Sequence, residues 1–108
     1  MRRGDFVTVA MQGDFGKPRP ALVIQADLFN DLSSVTVLPV TGTLLAAPLL
    51  RITLKPSAEN GLQKPSQVMI DKPMAIKRDK VGAAFGYIDA DAMIEVERCL
   101  AVFLGIAK

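Results

Sequence analysis

The place where hydrophobic periodicity changes constrains the fold more than any other feature of this chain. Before residue 89 the apolar residues come in short runs rich in valine, isoleucine and leucine, cut off by glycine, proline or small polar residues; after it a helical period takes over. The runs 6–11, 21–25, 34–40, 49–54 and 66–71 read as strands, with 81–88 as a last short one that carries Gly82 and Gly86. In 49–54 the alternation is clean from Leu50 onward, with Leu50, Ile52 and Leu54 on one face and Arg51 and Thr53 on the other. Segments 12–18, 41–48 and 55–64 hold the glycines, prolines and asparagine of loops, and 27–32 reads as a turn or a single helical turn. Segment 74–80 reads as a basic connection with room for one helical turn. Strands and helices do not alternate, so a parallel sheet is not expected. The pattern predicts a mainly β domain: a small, strongly bent antiparallel sheet or barrel with a C-terminal α-helix packed on it.

The helix has start and stop signals of its own. Asp89 or Asp91 suits the N-cap, where a carboxylate accepts from backbone N–H groups that lack helical partners. Ala92, Val96, Cys99, Leu100, Phe103 and Leu104 recur on one face, while Glu95, Glu97 and Arg98 fall largely on the other. Gly105 suits the position just past the end, where a positive φ costs little.

A chain of 108 residues, half of them hydrophobic, makes one domain over 1–108, near the size at which dimerisation helps. The net charge of +2 is too small to demonstrate nucleic-acid binding and permits a local basic patch. Cys99 is the single cysteine, so no internal disulfide forms and a reducing cytoplasm is expected. No apolar run suits a signal peptide or a membrane span.

The chain contains no histidine. Serine–histidine and cysteine–histidine nucleophile systems are therefore excluded. No metal-ligand spacing, Walker A loop or dinucleotide fingerprint occurs either, and no cofactor is expected. Chemistry falls to Arg, Lys, Thr, Ser, Asp and Glu. Arg19 stands between Pro18 and Pro20 at a strand start, on a backbone stiffened by proline. A guanidinium so mounted can anchor a phosphate with two parallel hydrogen bonds or simply be solvated. Thr41, after Pro39-Val40 and before Gly42, has a hydroxyl suited to a phosphoryl oxygen or to bonding its own turn. Lys64, Ser66 and Gln67 lead polar groups into an apolar strand; alternation sets Lys64 and Ser66 on one face and Pro65 and Gln67 on the other. Lys72, Lys77, Arg78 and Lys80 make a loose basic group that suits either an RNA backbone or plain solvation.

These segments, in order, resemble the MazF/PemK family of toxin endoribonucleases: Arg3-Gly4-Asp5-Phe6-Val7, Lys17 to Ile24, Asp27 to Asn30, Leu38-Pro39-Val40-Thr41, Gly61-Leu62, Ser66 to Lys72, and the helix ending Phe103-Leu104-Gly105. The resemblance spans nearly the whole chain. It implies a small SH3-like barrel, a homodimer, and metal-independent cleavage of single-stranded mRNA. Attack by the substrate's own 2′-OH would leave a 2′,3′-cyclic phosphate and a 5′-OH. Arg19 matches the arginine that stabilises the phosphorane, and Thr41 the threonine that holds the scissile phosphate. Asp14, Lys17, Lys64, Ser66, Gln67 and Lys72 are the candidate RNA contacts. The first loop is shorter than in many relatives and lacks a glutamate; Asp14 is a candidate base, and the base is otherwise unassigned. The implied partners are single-stranded RNA, a cognate antitoxin, and DNA only through the antitoxin complex. Two alternatives stand beside this reading. One is a gyrase inhibitor resembling CcdB, whose Trp-Gly-Ile tail is approached by Leu104-Gly105-Ile106 without the tryptophan. The other is a catalytically inactive barrel that binds RNA or protein.

Overall fold

A computed structural model describes residues 1–10 and 17–107. Its strands are β1 (Asp5–Ala10), β2 (Pro18–Val23), β3 (Ser34–Thr41), β4 (Arg51–Leu54), β5 (Ser66–Met69), β6 (Met74–Lys77) and β7 (Val81–Tyr87), followed by the helix α1 (Ala90–Phe103). Short 3-10 turns cover Asp27–Phe29 and Arg78–Lys80. Every pairing is antiparallel, in the order β4-β5-β3-β2-β1-β7, with β6 on β3. The sheet is strongly bent but not closed by strand pairing. The loop after β4 bridges toward the other end, where Tyr87 N–H donates to the Glu59 carbonyl (2.9 Å). No helix among the described residues is long and apolar enough to cross a membrane.

Strand β3 organises this arrangement. One edge pairs with β2; the other pairs with β6 over residues 34–37 and then with β5 at Val40 and Thr41. Its even and odd residues serve different cores, as a two-residue period requires. Phe6, Leu22 and Leu38 lie in cross-strand register on one face, in a cluster with Val40, Val68, Ile70 and the helix residues Val96 and Cys99. On the other face Val7, Val9, Ala21, Val23, Val35 and Val37 make a second cluster, flanked by Met74, Ile76 and Val81. Burial on both faces explains why β2 and β3 read as continuous apolar runs rather than alternating ones. It also rescues 74–77, expected to be a connection. Met74 and Ile76 face the second cluster while Ala75 and Lys77 are exposed, so a four-residue strand forms on the free edge of β3.

Two other boundaries differ from expectation. Strand β2 begins at Pro18, so Arg19 lies within it. Strand β4 begins at Arg51 because the Ala47 carbonyl accepts from both Leu50 N–H and Arg51 N–H and winds 47–50 into a turn, leaving Leu49 and Leu50 exposed. In the helix, Asp89 is the cap: its carboxylate accepts from Ala92 N–H at 3.0 Å. The end is a Schellman arrangement, with Gly105 at φ 76°, its N–H on the Val102 carbonyl and Ile106 N–H on that of Ala101. Val96 and Cys99 are buried, but Phe103 and Leu104, expected on the same apolar face, overrun the sheet and are exposed. Burial pushes the Cys99 thiol above its usual range, as expected of a core side chain, and nearby Glu95 adds to the shift.

Asp89→Ala should lower stability by about 1 kcal/mol through loss of the cap, with the fold retained. Urea unfolding followed by circular dichroism checks this, and an unchanged midpoint would remove the carboxylate from the helix start.

Candidate active site

A cleft of about 610 Å³ opens where β2 and β3 part. Their pairing ends at Ala21–Pro39. Continued two residues further, the same register sets Arg19 across from Thr41. Pro18, Pro20 and Pro39 crowd this corner, and Pro18 and Pro20 bring no N–H to a ladder. Strand β3 turns away to pair with β5, where Thr41 opposes Gln67. Arg19 and Thr41 thus face a common space, joined by Lys64, Ser66, Gly61 and Phe85.

Two cationic side chains border this space. Arg19 and Lys64 line it, and no carboxylate does among the described residues. The Lys64 stem and ammonium group cross the bare Cα of Gly42, so closely that a Cβ there would collide with them. The Thr41 hydroxyl accepts from Thr43 N–H at 3.1 Å. This is the turn-stabilising role open to such a residue, and it leaves the hydroxyl proton available to donate. Ser66, buried at the cleft wall, donates its hydroxyl to the Lys64 carbonyl (2.9 Å) and so fixes the approach to β5.

The other candidates fall elsewhere. Asp14 lies outside the described residues. Lys17 stands just before the cleft-lining Pro18 and does not itself line the cleft. Lys72 lies after β5, with its ammonium 3.6 Å from Asp71. Gln67 is only 4% exposed and turns away from the cleft. Its amide group donates to the Leu45 carbonyl and to Thr53 Oγ1 (both 3.0 Å) and its carbonyl accepts from Leu45 N–H (3.0 Å). It clamps the 42–48 loop, and its alternation with Ser66 does not separate buried from exposed, since both are buried.

Beyond the clamp, Arg51 donates to Asp71 at 2.7 Å. That hydrogen bond holds the Asp71 carboxyl below its usual range, with smaller help from its own backbone N–H and from Lys72, against a smaller opposing effect of desolvation. Sequence reading named Gly61 only as a segment of the resemblance and overlooked Gln63 and Phe85 in the cleft wall. Gly61 has φ 67° and rests against Phe85, with no room for a Cβ. The only hint in the sequence is an aromatic residue between Gly82 and Gly86 in a strand.

With this geometry in view, the kinship of the chain is informative. Residues 2–104 match the family described as PemK-like, MazF-like toxin of type II toxin-antitoxin system. A relative from Mycolicibacterium smegmatis, "Probable endoribonuclease MazF", is 45% identical over 108 residues, 99% of either chain. The fold is that of the Mycobacterium tuberculosis toxin MazF-mt6 (TM-score 0.82, 23% identity, 96% of this chain and 99% of that one). It is also that of a mycobacterial endoribonuclease solved in complex with its cognate antitoxin (TM-score 0.83, 21% identity, 100% and 98%). The chain belongs to the PemK-like, MazF-like family of type II toxins. Neither the gyrase-inhibitor reading nor the inactive barrel is favoured by these matches.

Two outcomes are expected from the clamps. Gln67→Glu should destabilise the protein by about 2 kcal/mol at neutral pH, because it replaces amide donors with a buried charge facing the Leu45 carbonyl; thermal unfolding checks it. For Asp71, a depressed folded-state pKa gives a contribution that is present above the unfolded value near 3.8 and lost as pH falls through the folded one. Asp71→Asn should therefore weaken resistance to urea at pH 7 and lose its effect in acid. An equal deficit at both pH values would contradict the pairing.

Proposed function

We propose that this chain is the toxin of a type II toxin–antitoxin pair and cleaves single-stranded mRNA, at short sequences and without a metal, in the Arg19–Thr41 cleft. The observation that supports this reading is that Arg19 and Thr41 line one cleft whose described walls add a second cation, Lys64. The curated relative bears the endoribonuclease activity in its name and matches from end to end.

In the reaction the 2′-oxygen of the substrate bonds to the adjacent phosphorus and the bond from phosphorus to the 5′-oxygen breaks. The 2′-OH proton leaves to a base and the departing oxygen gains a proton. The products are a 2′,3′-cyclic phosphate and a 5′-OH. Negative charge builds on the non-bridging oxygens, and groups already aimed at that charge lower the barrier. Arg19 supplies the bidentate cation. Arginine is a poor proton donor near neutral pH, so its role is electrostatic. Thr41 donates its hydroxyl to a non-bridging oxygen, and Lys64 adds charge beside it. Ser66 supports the wall, while Lys17 and Lys72 meet RNA beyond the cleft. Asp14 is a candidate for the base.

The protein acts in this reading as a cytoplasmic homodimer restrained by a cognate antitoxin, and meets DNA only through that complex. An acidic, apolar antitoxin segment that folds on binding would suit the cationic cleft.

Purified protein should cut a long single-stranded RNA in EDTA at a recurring short sequence, leaving 5′-OH ends. Arg19→Ala should lower the rate by about a hundredfold or more while the protein stays folded. Full activity in that variant would refute the mechanism, and no cutting by folded wild type would refute the function.

A further inference from the structure

Strand β7 is irregular at one point of the cleft wall. Phe6 pairs with Gly86 and Val7 with Ala84, so Phe85 is the extra residue of a β-bulge. Bulges bend a strand and re-aim the side chain at the insertion. Here the re-aimed side chain is a phenyl ring on the wall shared with Arg19 and Thr41, and the residue keeps 37% of its surface exposed.

The ring is held rather than loose. It stacks on the buried Phe6, with centroids 6.1 Å apart and planes 25° from parallel. Gly61 abuts it on another side, where a Cβ would stand 2.9 Å from Phe85 Cδ1. The neighbouring Gly86 lets β7 press against the Asn60 backbone. Asn60 in turn is buried and anchored: its side chain accepts from Ser57 and Leu62 N–H and donates to the Lys55 carbonyl. The 57–61 turn and the bulge therefore fix one aromatic surface in a cationic cleft. Leaving a phenyl ring partly in water forgoes hydrophobic stabilisation.

We propose that Phe85 is a base-stacking platform, and that the nucleobase beside the scissile phosphate rests on its ring. This deepens the nuclease reading and rests on it. The pairing of features suits RNA in particular: cations for the backbone and an aromatic face for a base, the combination by which single strands are held. A peptide segment would find the same cations but would gain no special advantage from a planar platform.

The test couples Phe85 to a base. Cut sites are mapped with wild-type protein, and RNA oligonucleotides of that sequence are made with an abasic residue at each position flanking the cut. Phe85→Ala, Phe85→Leu and Phe85→Tyr are compared for KM, kcat, unfolding midpoint and oligomeric state. Binding is followed separately with an oligonucleotide that lacks the 2′-OH at the cut. Alanine and leucine should raise KM about tenfold with kcat changed less, and tyrosine should restore wild-type behaviour. One abasic position should cost wild type a similar factor and cost Phe85→Ala nothing further. Equal KM values for all variants, or additive losses at every abasic position, would overturn the platform while leaving the nuclease standing. So would a loss that merely follows the unfolding midpoint or a changed oligomeric state, or weakened antitoxin binding with RNA binding intact. A wild type that neither cuts nor binds RNA would remove the nuclease reading and the platform with it.

Discussion

The fold depends on one strand serving two sheets. Strand β3 carries Leu38 and Val40 toward the helix-side core and Val35 and Val37 toward the other, while its free edge is divided between β6 and β5. Each face alone would bury little in a chain of this size, and burying both lets a small domain remove much more apolar surface from water. The same division carries a geometric consequence. A strand that leaves one partner sheet for another must open a corner, and the corner lies where β3 parts from β2.

Open corners in sheets usually cost unsatisfied backbone groups. Prolines at positions 18 and 20 lower that cost on the β2 side because they carry no N–H to strand. They also stiffen the backbone on which Arg19 is mounted. The cleft is therefore a product of the sheet's architecture: Arg19 and Thr41 stand on strands, and Lys64 reaches in from the loop before β5. Around this rigid corner the loops are tied down by buried polar side chains: Gln67 holds 42–48 through Leu45, and Asn60 holds the turn beside Phe85. Both side chains are satisfied, which is the condition for burying amides without penalty.

A chain without histidine has no side chain that ordinarily exchanges protons near neutral pH. A catalyst built from it must gain most from positioning and charge. The cleft is consistent with that economy: two cations, a hydroxyl and an aromatic ring converge on it, while the ion pair of Arg51 with Asp71 sits apart and braces the β4–β5 hairpin.

Much of this was legible in the residues. The change from strand-like runs to a helical period placed the terminal helix, narrowed its cap to Asp89 or Asp91 and set its Gly105 end, because caps and periodicity are local. Motif order paired Arg19 with Thr41 and named Lys64 and Ser66 among the RNA contacts; these four line one cleft, whereas Lys17, Gln67 and Lys72, named with them, do not. Gln67 was not legible as a clamp, since the Leu45 backbone it holds lies 22 residues away. Strand β6 was hidden because a four-residue basic segment has weak propensity of its own and becomes a strand only on the free edge of β3. Phe85 was hidden because a bulge is a mismatch between two strands, and neither sequence alone records it. Local chain chemistry determined most of the elements and the helix caps and named the candidate groups. Tertiary structure decided which of those groups share a space, because register and strand exchange arise only from pairing between distant segments.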